Sequence, residues 1–313
     1  MKIAFVQLSD IHIDEDKSNP VLDKSEEIAK AIYPLLPGMA HVSIIISGDI
    51  AYSGRARQYD LAEKFFREIK NFLTKETGQS VSFFVVPGNH DCDFLDEPKT
   101  RAANVQYVQS EGSTGVDDSV IEACTSVQKN FFNFQASLHE REVIAVDALW
   151  SERRIALEGQ GIVLEGLNVS WVSRKRDDPG RLHFPFERYV DRARLHEDLH
   201  IMVMHHPVNW FNQGIYSTFR HFLRKRATLV MSGHEHVGGA SEVNDIDAGP
   251  SISLEGRVLQ EHGGSLSNTG FNVLVLDVSA GEYQLTRLDY LNGAYLQREE
   301  ALWQGYRALP KRV

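Results

Sequence analysis

The chain has 313 residues, and 33 Lys and Arg against 43 Asp and Glu give a formal net charge of −10, which argues against a general nucleic-acid clamp because such proteins carry a basic excess. Hydrophobic residues at 42% and charged residues at 24% make an ordinary globular balance that excludes a disordered chain, and no uninterrupted apolar stretch is long enough to span a bilayer. The apolar run at residues 3–6 is too short for a signal-peptide core, and two cysteines, Cys92 and Cys124, support neither a disulfide framework nor a thiolate zinc site, so a cytoplasmic location with reduced, inert thiols is expected.

In chain order, residues 3–8 form an apolar run rich in β-branched side chains that leads into Asp10 and His12, and residues 42–47 form another that leads into Gly48-Asp49. Residues 59–75 place Leu61, Phe65, Ile69 and Phe72 on one stripe, the spacing of an amphipathic helix. A third strand-like run at 81–86 leads into Pro87-Gly88-Asn89-His90-Asp91. Segment 93–118 is charged and contains Glu111-Gly112-Ser113-Thr114-Gly115, which predicts a mobile insertion near a site mouth. Val120, Cys124, Val127, Phe131, Phe134 and Leu138 recur at helical spacing, and residues 154–157, 161–165 and 169–172 read as antiparallel strands. Runs at 201–204 and 228–232 lead into His205-His206-Pro207 and Gly233-His234-Glu235-His236. Residues 271–278 and 283–288 read as a closing hairpin turning at Gly281-Glu282. Alternation of strands and helices in the first third predicts an α/β layered fold.

Every polar cluster follows the carboxyl end of a predicted strand, where open α/β sheets bind their ligands, so one shared site is expected. Asp10, His12, Asp49, Asn89, His205, His234 and His236 together offer imidazole nitrogens with carboxylate and amide oxygens, a donor set that suits Mn, Fe, Zn or Co better than calcium or magnesium. Seven donors exceed the need of one ion. Two ions sharing Asp49 as a bridge would use them, and such a pair clamps the attacking and leaving oxygens of phosphoryl displacement. His206 neighbours a candidate donor, yet adjacent strand side chains point apart, so a supporting or purely structural role stands at least level with metal contact. Arg174 and Arg181 belong to a basic stretch interleaved with acids, either a solvated face or a mouth that holds a substrate phosphate. The remaining histidines, His41, His139, His183, His196, His200, His221 and His262, carry no motif and read as surface or ordinary hydrogen-bonding residues.

The motifs Asp10-x-His12, Gly48-Asp49, Gly88-Asn89-His90-Asp91, His205-x-Pro207 and Gly233-His234-x-His236 resemble the calcineurin-like metallophosphoesterase family in order and composition. Residues 48–54, followed by Tyr59, look like its cyclic-nucleotide phosphodiesterase (class III) branch. The resemblance covers roughly residues 1–91 and 199–290. It implies a four-layer αββα sandwich of two mixed β-sheets flanked by helices, here as a single domain over residues 1–313 with an insertion at about 93–141 and a poorly matched segment at 142–198.

The reading that follows is a dinuclear metal-dependent phosphoesterase acting on a phosphodiester of nucleotide type, in one displacement by hydroxide generated on the metals. His90 would donate a proton to the departing oxygen, with Asp91 or a distant acid as its carboxylate partner. The expected partner is a small phosphate ester rather than a membrane or nucleic acid. A metal-dependent nuclease is the rival enzyme reading, and an effector or scaffold domain of a larger multidomain protein is the non-enzymatic one.

Overall fold

The computed structural model describes residues 1–139, 143–156, 161–192, 199–298 and 307–309; Leu157, the end of one expected strand, and His196 lie outside them. The first part of the chain supplies β1 (Lys2–Leu8), α1 (Ser25–Ile32), β2 (Met39–Ile46), α2 (Ala56–Thr77) and β3 (Val81–Val85). The middle supplies α3 (Lys99–Glu111), α4 (Asp118–Thr125), α5 (Lys129–His139), β4 (Ile144–Ala145), β5 (Trp150–Ile155) and β6 (Ile162–Leu167). Then come β7 (Leu199–Val203), α6 (Gln213–Arg226), β8 (Leu229–Ser232), β9 (Val237–Asp245), β10 (Gly249–Arg257), β11 (Gly270–Asp277), β12 (Glu282–Leu291), β13 (Ala294–Gln297) and β14 (Arg307–Ala308).

Two mixed sheets result. One has the order β13-β12-β11-β1-β2-β3, with β14 also on β12, and the other β4-β5-β6-β7-β8-β10-β9. In the first, β1, β2 and the edge strand β3 are parallel, and at the centre of the second so are β6, β7, β8 and β10. Side chains alternate across a strand, which explains why these runs are apolar throughout. In β1, Ile3 and Phe5 enter the core between the sheets, with Phe84, Ile201, Val203 and Leu274, whereas Ala4, Val6 and Leu8 face the outer layer. That outer layer is built from α1, α2 and α5 through Ile28, Phe65, Phe66, Ile69, Phe131 and Phe134. The second sheet is covered by α3, α4 and α6 through Val105, Val108, Ile121 and Phe219, around Trp150 and Trp171. Helix, sheet, sheet, helix is the four-layer α/β sandwich, and no helix among the described residues is long and apolar enough to cross a membrane.

The middle of the chain departs from expectation in three places. Residues 93–118 are no loose insertion: Arg101 of α3 is fully buried and donates to the carbonyls of Cys124 at 2.8 Å and Ser173 at 2.6 Å and to the Glu97 carboxylate, ties that a buried guanidinium requires. The helical pattern from 120 to 138 breaks at a 3₁₀ turn, Ser126–Gln128, because α4 packs on the second sheet and α5 on the first, and one straight helix cannot serve both. Val169–Val172 is a buried 3₁₀ turn rather than a strand. Asn168 ends the β5–β6 pairing by bonding its N–H to the Leu149 carbonyl and its amide side chain to Gln128 and the Ala148 carbonyl.

His139 gives the fold a pH dependence. Its Nε2 accepts the Val85 N–H at 3.0 Å and its ring stacks on Phe84, which requires a neutral imidazole. Burial first, then the Arg153 charge, pushes its pKa down to about 3. The unfolded chain, titrating near 6.5, binds this proton first, so its contribution is complete above pH 6.5 and is lost as pH falls toward 3. Across that window the protein should lose up to about 1.4 kcal/mol per pH unit relative to His139→Gln. Unfolding free energies of the two, measured side by side from pH 7 to 4, check it; parallel pH profiles would refute it.

Candidate metal centre

The five polar clusters converge where the carboxyl ends of β1, β2 and β3 meet those of β7 and β8. Immediately past the strands the backbone turns sharply: Asp10, His12, Asp49, His234 and His236 all have φ between 50° and 73°, the left-handed region that Asp and His tolerate better than most residues. Backbone hydrogen bonds sustain this strain. The first loop is tied to the second by Asp10 N–H to Gly48 O, Ile11 N–H to Asp49 O and His12 N–H to Asp49 O, at 2.8–3.1 Å. Glycine is required at position 88, where a Cβ would stand 2.1 Å from Asp49 Oδ1, and at 48, where φ is 96° and a Cβ would stand 2.5 Å from His205 Nδ1.

Six of the seven residues expected as donors are brought together, and the seventh, Asn89, precedes His90, whose N–H bonds Asp49. Asp49 Oδ2 lies 3.2 Å from His205 Nε2, which lies 3.2 Å from His234 Nδ1, while Asp10 Oδ1 lies 3.5 Å from His236 Nε2 and 4.0 Å from His12 Nε2. Donor atoms of Asp10, Asp49 and His205 lie within 4.8 Å of one another, as do those of His12, Asp49 and His90; Asp49 belongs to both groups. Outer contacts fix the rings: His205 Nδ1 donates to Ser47 O at 2.8 Å, leaving Nε2 for the site, and the Asp49 Oδ1 atom accepts the His90 N–H at 2.8 Å.

Burial opposes ionisation of Asp10, but the nearby His236 and His205 outweigh it and hold its carboxyl down at about 2. For Asp49 burial is likewise outweighed, chiefly by His205 and His90, and the carboxyl stays well below its ordinary range. Burial keeps His12 neutral and pushes His234 down to about 4, whereas Asp49 overcomes burial at His205 and lifts it to about 9. Charged carboxylates and the lone pairs of His12 and His234 are the state a cation needs; Asp10 outweighs burial to raise His236 as Asp49 does His205, so occupation would displace the protons those two rings favour. Asp10 Oδ1 and Asn89 Oδ1 are buried without a hydrogen-bond partner. Buried oxygens of this kind are costly unless something pairs with them, so the donor set fits divalent ions.

The supporting residues divide. The Asp91 carboxylate accepts from Gly88 N–H at 2.8 Å, Ala51 N–H at 3.0 Å and the Tyr59 hydroxyl at 2.9 Å rather than from the His90 ring, and so clamps the second loop to the third. His90 Nδ1 instead donates to the Tyr52 carbonyl at 2.8 Å. His206 is buried against the donors, its ring centroid 4.2 Å from that of His234 and 4.8 Å from that of His205 and a ring nitrogen within 4.8 Å of theirs; Nδ1 lies 3.4 Å from the Ser170 hydroxyl, and Nε2, 3.6 Å from Asp177, has no hydrogen-bond partner. Arg174 and Arg181 line a cavity of about 480 Å³ with Gln106, Gln109 and Arg176. The cavity that contains Asn89 and His90, about 320 Å³, is bordered by Lys175 and Arg55, the latter paired with Glu15 at 2.7 Å.

Among histidines without a motif, His41 sits between the hydroxyls of Ser43 and Ser82 and His200 against Glu165, as expected of hydrogen-bonding residues. His262 does not: its Nε2 is 3.1 Å from His12 Nε2, inside the cluster. Cys92 and Cys124 are free and buried, and burial pushes the Cys92 thiol up, which makes it inert.

A solved structure shares this architecture. A dimetal phosphatase from Danio rerio is similar over 94% of this chain and 98% of its own, with 12% identity and a TM-score of 0.50. Vacuolar Protein Sorting 29 from Cryptosporidium parvum aligns over 95% and 96%, with 11% identity and a TM-score of 0.35. Comparison with curated proteins returns no match. The family model for calcineurin-like phosphoesterases matches residues 3–238, a span that carries each of the seven expected donors, and the chain belongs to that family of metal-dependent phosphoester hydrolases.

Proposed function

We propose that the chain hydrolyses a phosphodiester, of nucleotide type, with two divalent ions of the Mn, Fe, Zn or Co kind held by Asp10, His12, Asp49, Asn89, His205, His234 and His236. The observation that carries this reading is Asp49, whose carboxylate lies within 4.8 Å of donor atoms of Asp10 and His205 and also of His12. When bound, such ions polarise phosphoryl oxygens and acidify water. The rest falls to the chain's own residues. Asp49 and Asp10 bring negative charge to the ions, neutral Asn89 leaves the site net positive, and the site therefore attracts an anion despite the acidic whole. His90, fixed through Nδ1 by the Tyr52 carbonyl, keeps Nε2 to hold a proton for the departing oxygen.

A diester suits the surroundings better than a dianionic monoester. Of the two cations bordering the cavity at His90, Arg55 is already paired, which leaves Lys175 to meet substrate charge. Residues 48–54 and Tyr59, the stretch that resembles the phosphodiesterase branch, support the same choice. Buried free thiols accord with a cytoplasmic setting. The test is kcat/KM on a diester and its matched monoester with the same preparation in added Mn²⁺; the diester should be cut faster, and a strong monoester preference would overturn the reading. Single-stranded DNA is the nuclease arm, in which cleavage weakening steeply with salt and with neutralisation of Arg174, Lys175 and Arg176 would replace the small-molecule substrate with nucleic acid.

A further inference from the structure

We propose that His262 is an additional donor to the ion held by Asp10, His12 and His236, so that this ion takes three imidazoles. The inference rests on the metal-binding reading above and goes beyond its seven donors.

Three Nε2 atoms converge. That of His12 is 3.4 Å from His236 and 3.1 Å from His262, and donor nitrogens of all three lie within 4.8 Å of one another. An imidazole nitrogen carries either one proton or one in-plane lone pair, so His12 Nε2 makes one good hydrogen bond and faces its other neighbour unsatisfied. A cation satisfies all three nitrogens. Two imidazole nitrogens each about 2.1 Å from a shared ion are roughly 3.0 Å apart at a right angle and roughly 3.4 Å apart at a tetrahedral angle, the separations found here.

The loop that carries His262 is fastened to the metal loop rather than merely near it. Leu259 N–H bonds the carbonyls of Ser9 at 3.0 Å and Asp10 at 3.1 Å, and Gln260 N–H bonds Asp10 O at 3.2 Å. The Gln260 side chain is buried, donates to Ile11 O and accepts the Val21 N–H, each at 3.2 Å. Backbone on both sides of Asp10 is therefore held to residues 259–260, and His262 follows two residues later. Glu261, between them, places Oε2 3.4 Å from His236 Nδ1, the carboxylate–imidazole contact that turns the other nitrogen toward an ion. One short loop thus supplies a donor and orients another. A third imidazole shifts the preference of this position away from magnesium and manganese toward zinc, iron or cobalt.

The experiment measures metal rather than turnover. Zn²⁺ is titrated into the full chain, wild type, His262→Ala, Glu261→Gln and the remote His221→Ala, against a chromophoric chelator, and absorption spectra are recorded with Co²⁺. We expect His262→Ala to weaken one of two ions at least tenfold, to spare the other and to alter the Co²⁺ spectrum. Glu261→Gln should weaken the same ion less, and His221→Ala should match wild type. Unchanged Zn²⁺ binding in His262→Ala, or weaker binding with an unaltered Co²⁺ spectrum, overturns the proposal while the seven-donor site stands. Failure of wild type to bind Zn²⁺ at all overturns both.

Discussion

Asp49→Ala is expected to lose bound metal and to lower kcat/KM by at least about 10³-fold, or about 4 kcal/mol in transition-state stabilisation. The carboxylate is fully buried, faces His205 Nε2 at 3.2 Å, accepts the His90 N–H at 2.8 Å and belongs to donor groups on both sides of the site. Its charge also sets the protonation of its neighbours, since it lifts His205 to about 9. Removing it takes a donor from both ions and a positioning bond from His90 together, which is why the loss should exceed that of any other single donor. Metal per chain by elemental analysis and kcat/KM on the same preparation check the result. A variant with two ions and undiminished turnover would falsify the bridging role.

His90→Ala should separate proton transfer from metal binding. The ring is held by its Nδ1 bond to Tyr52 O and wedged against His12, His262 and Tyr52, with centroids 4.9, 4.8 and 5.5 Å away. A carbonyl accepts only from N–H, so Nδ1 is protonated and Nε2 is the atom left to serve the leaving oxygen. The alanine variant should hold near-normal metal, slow a diester with an alkyl leaving group by about 10²-fold, and spare an aryl ester whose leaving group needs no proton. Equal losses on both esters, or loss of the ions, would make His90 a donor or a structural residue instead.

Much of this architecture is legible in the linear sequence, for a specific reason. Strands buried on both faces must be apolar at every position, so the runs at 3–8, 42–47, 81–86, 201–204 and 228–232 stand out without any knowledge of their partners, and the polar residues that interrupt them mark where the chain leaves the sheet. The positive φ angles at Asp10, Asp49 and His234 are the conformational side of the same interruption. The β9–β10 hairpin is not legible: residues 237–245 are rich in Gly, Ser, Asp and Glu, and their strand character comes from pairing with β10 at the sheet edge. Val169–Val172 fails in the opposite sense, because a buried apolar turn and a buried strand share a composition.

Residue chemistry and order alone thus determined the family resemblance, the layered α/β class and a metal-binding donor set, because each depends on short local patterns repeated at strand ends. Only the tertiary structure decided that Arg101 anchors the middle segment in the core, that Asp91 braces two loops rather than serving His90, and that His262 meets His12 across 250 positions of sequence. Those contacts are made by single side chains reaching distant backbone or rings, and a lone Arg, Asp or His leaves no periodic trace in the sequence from which its partner can be read.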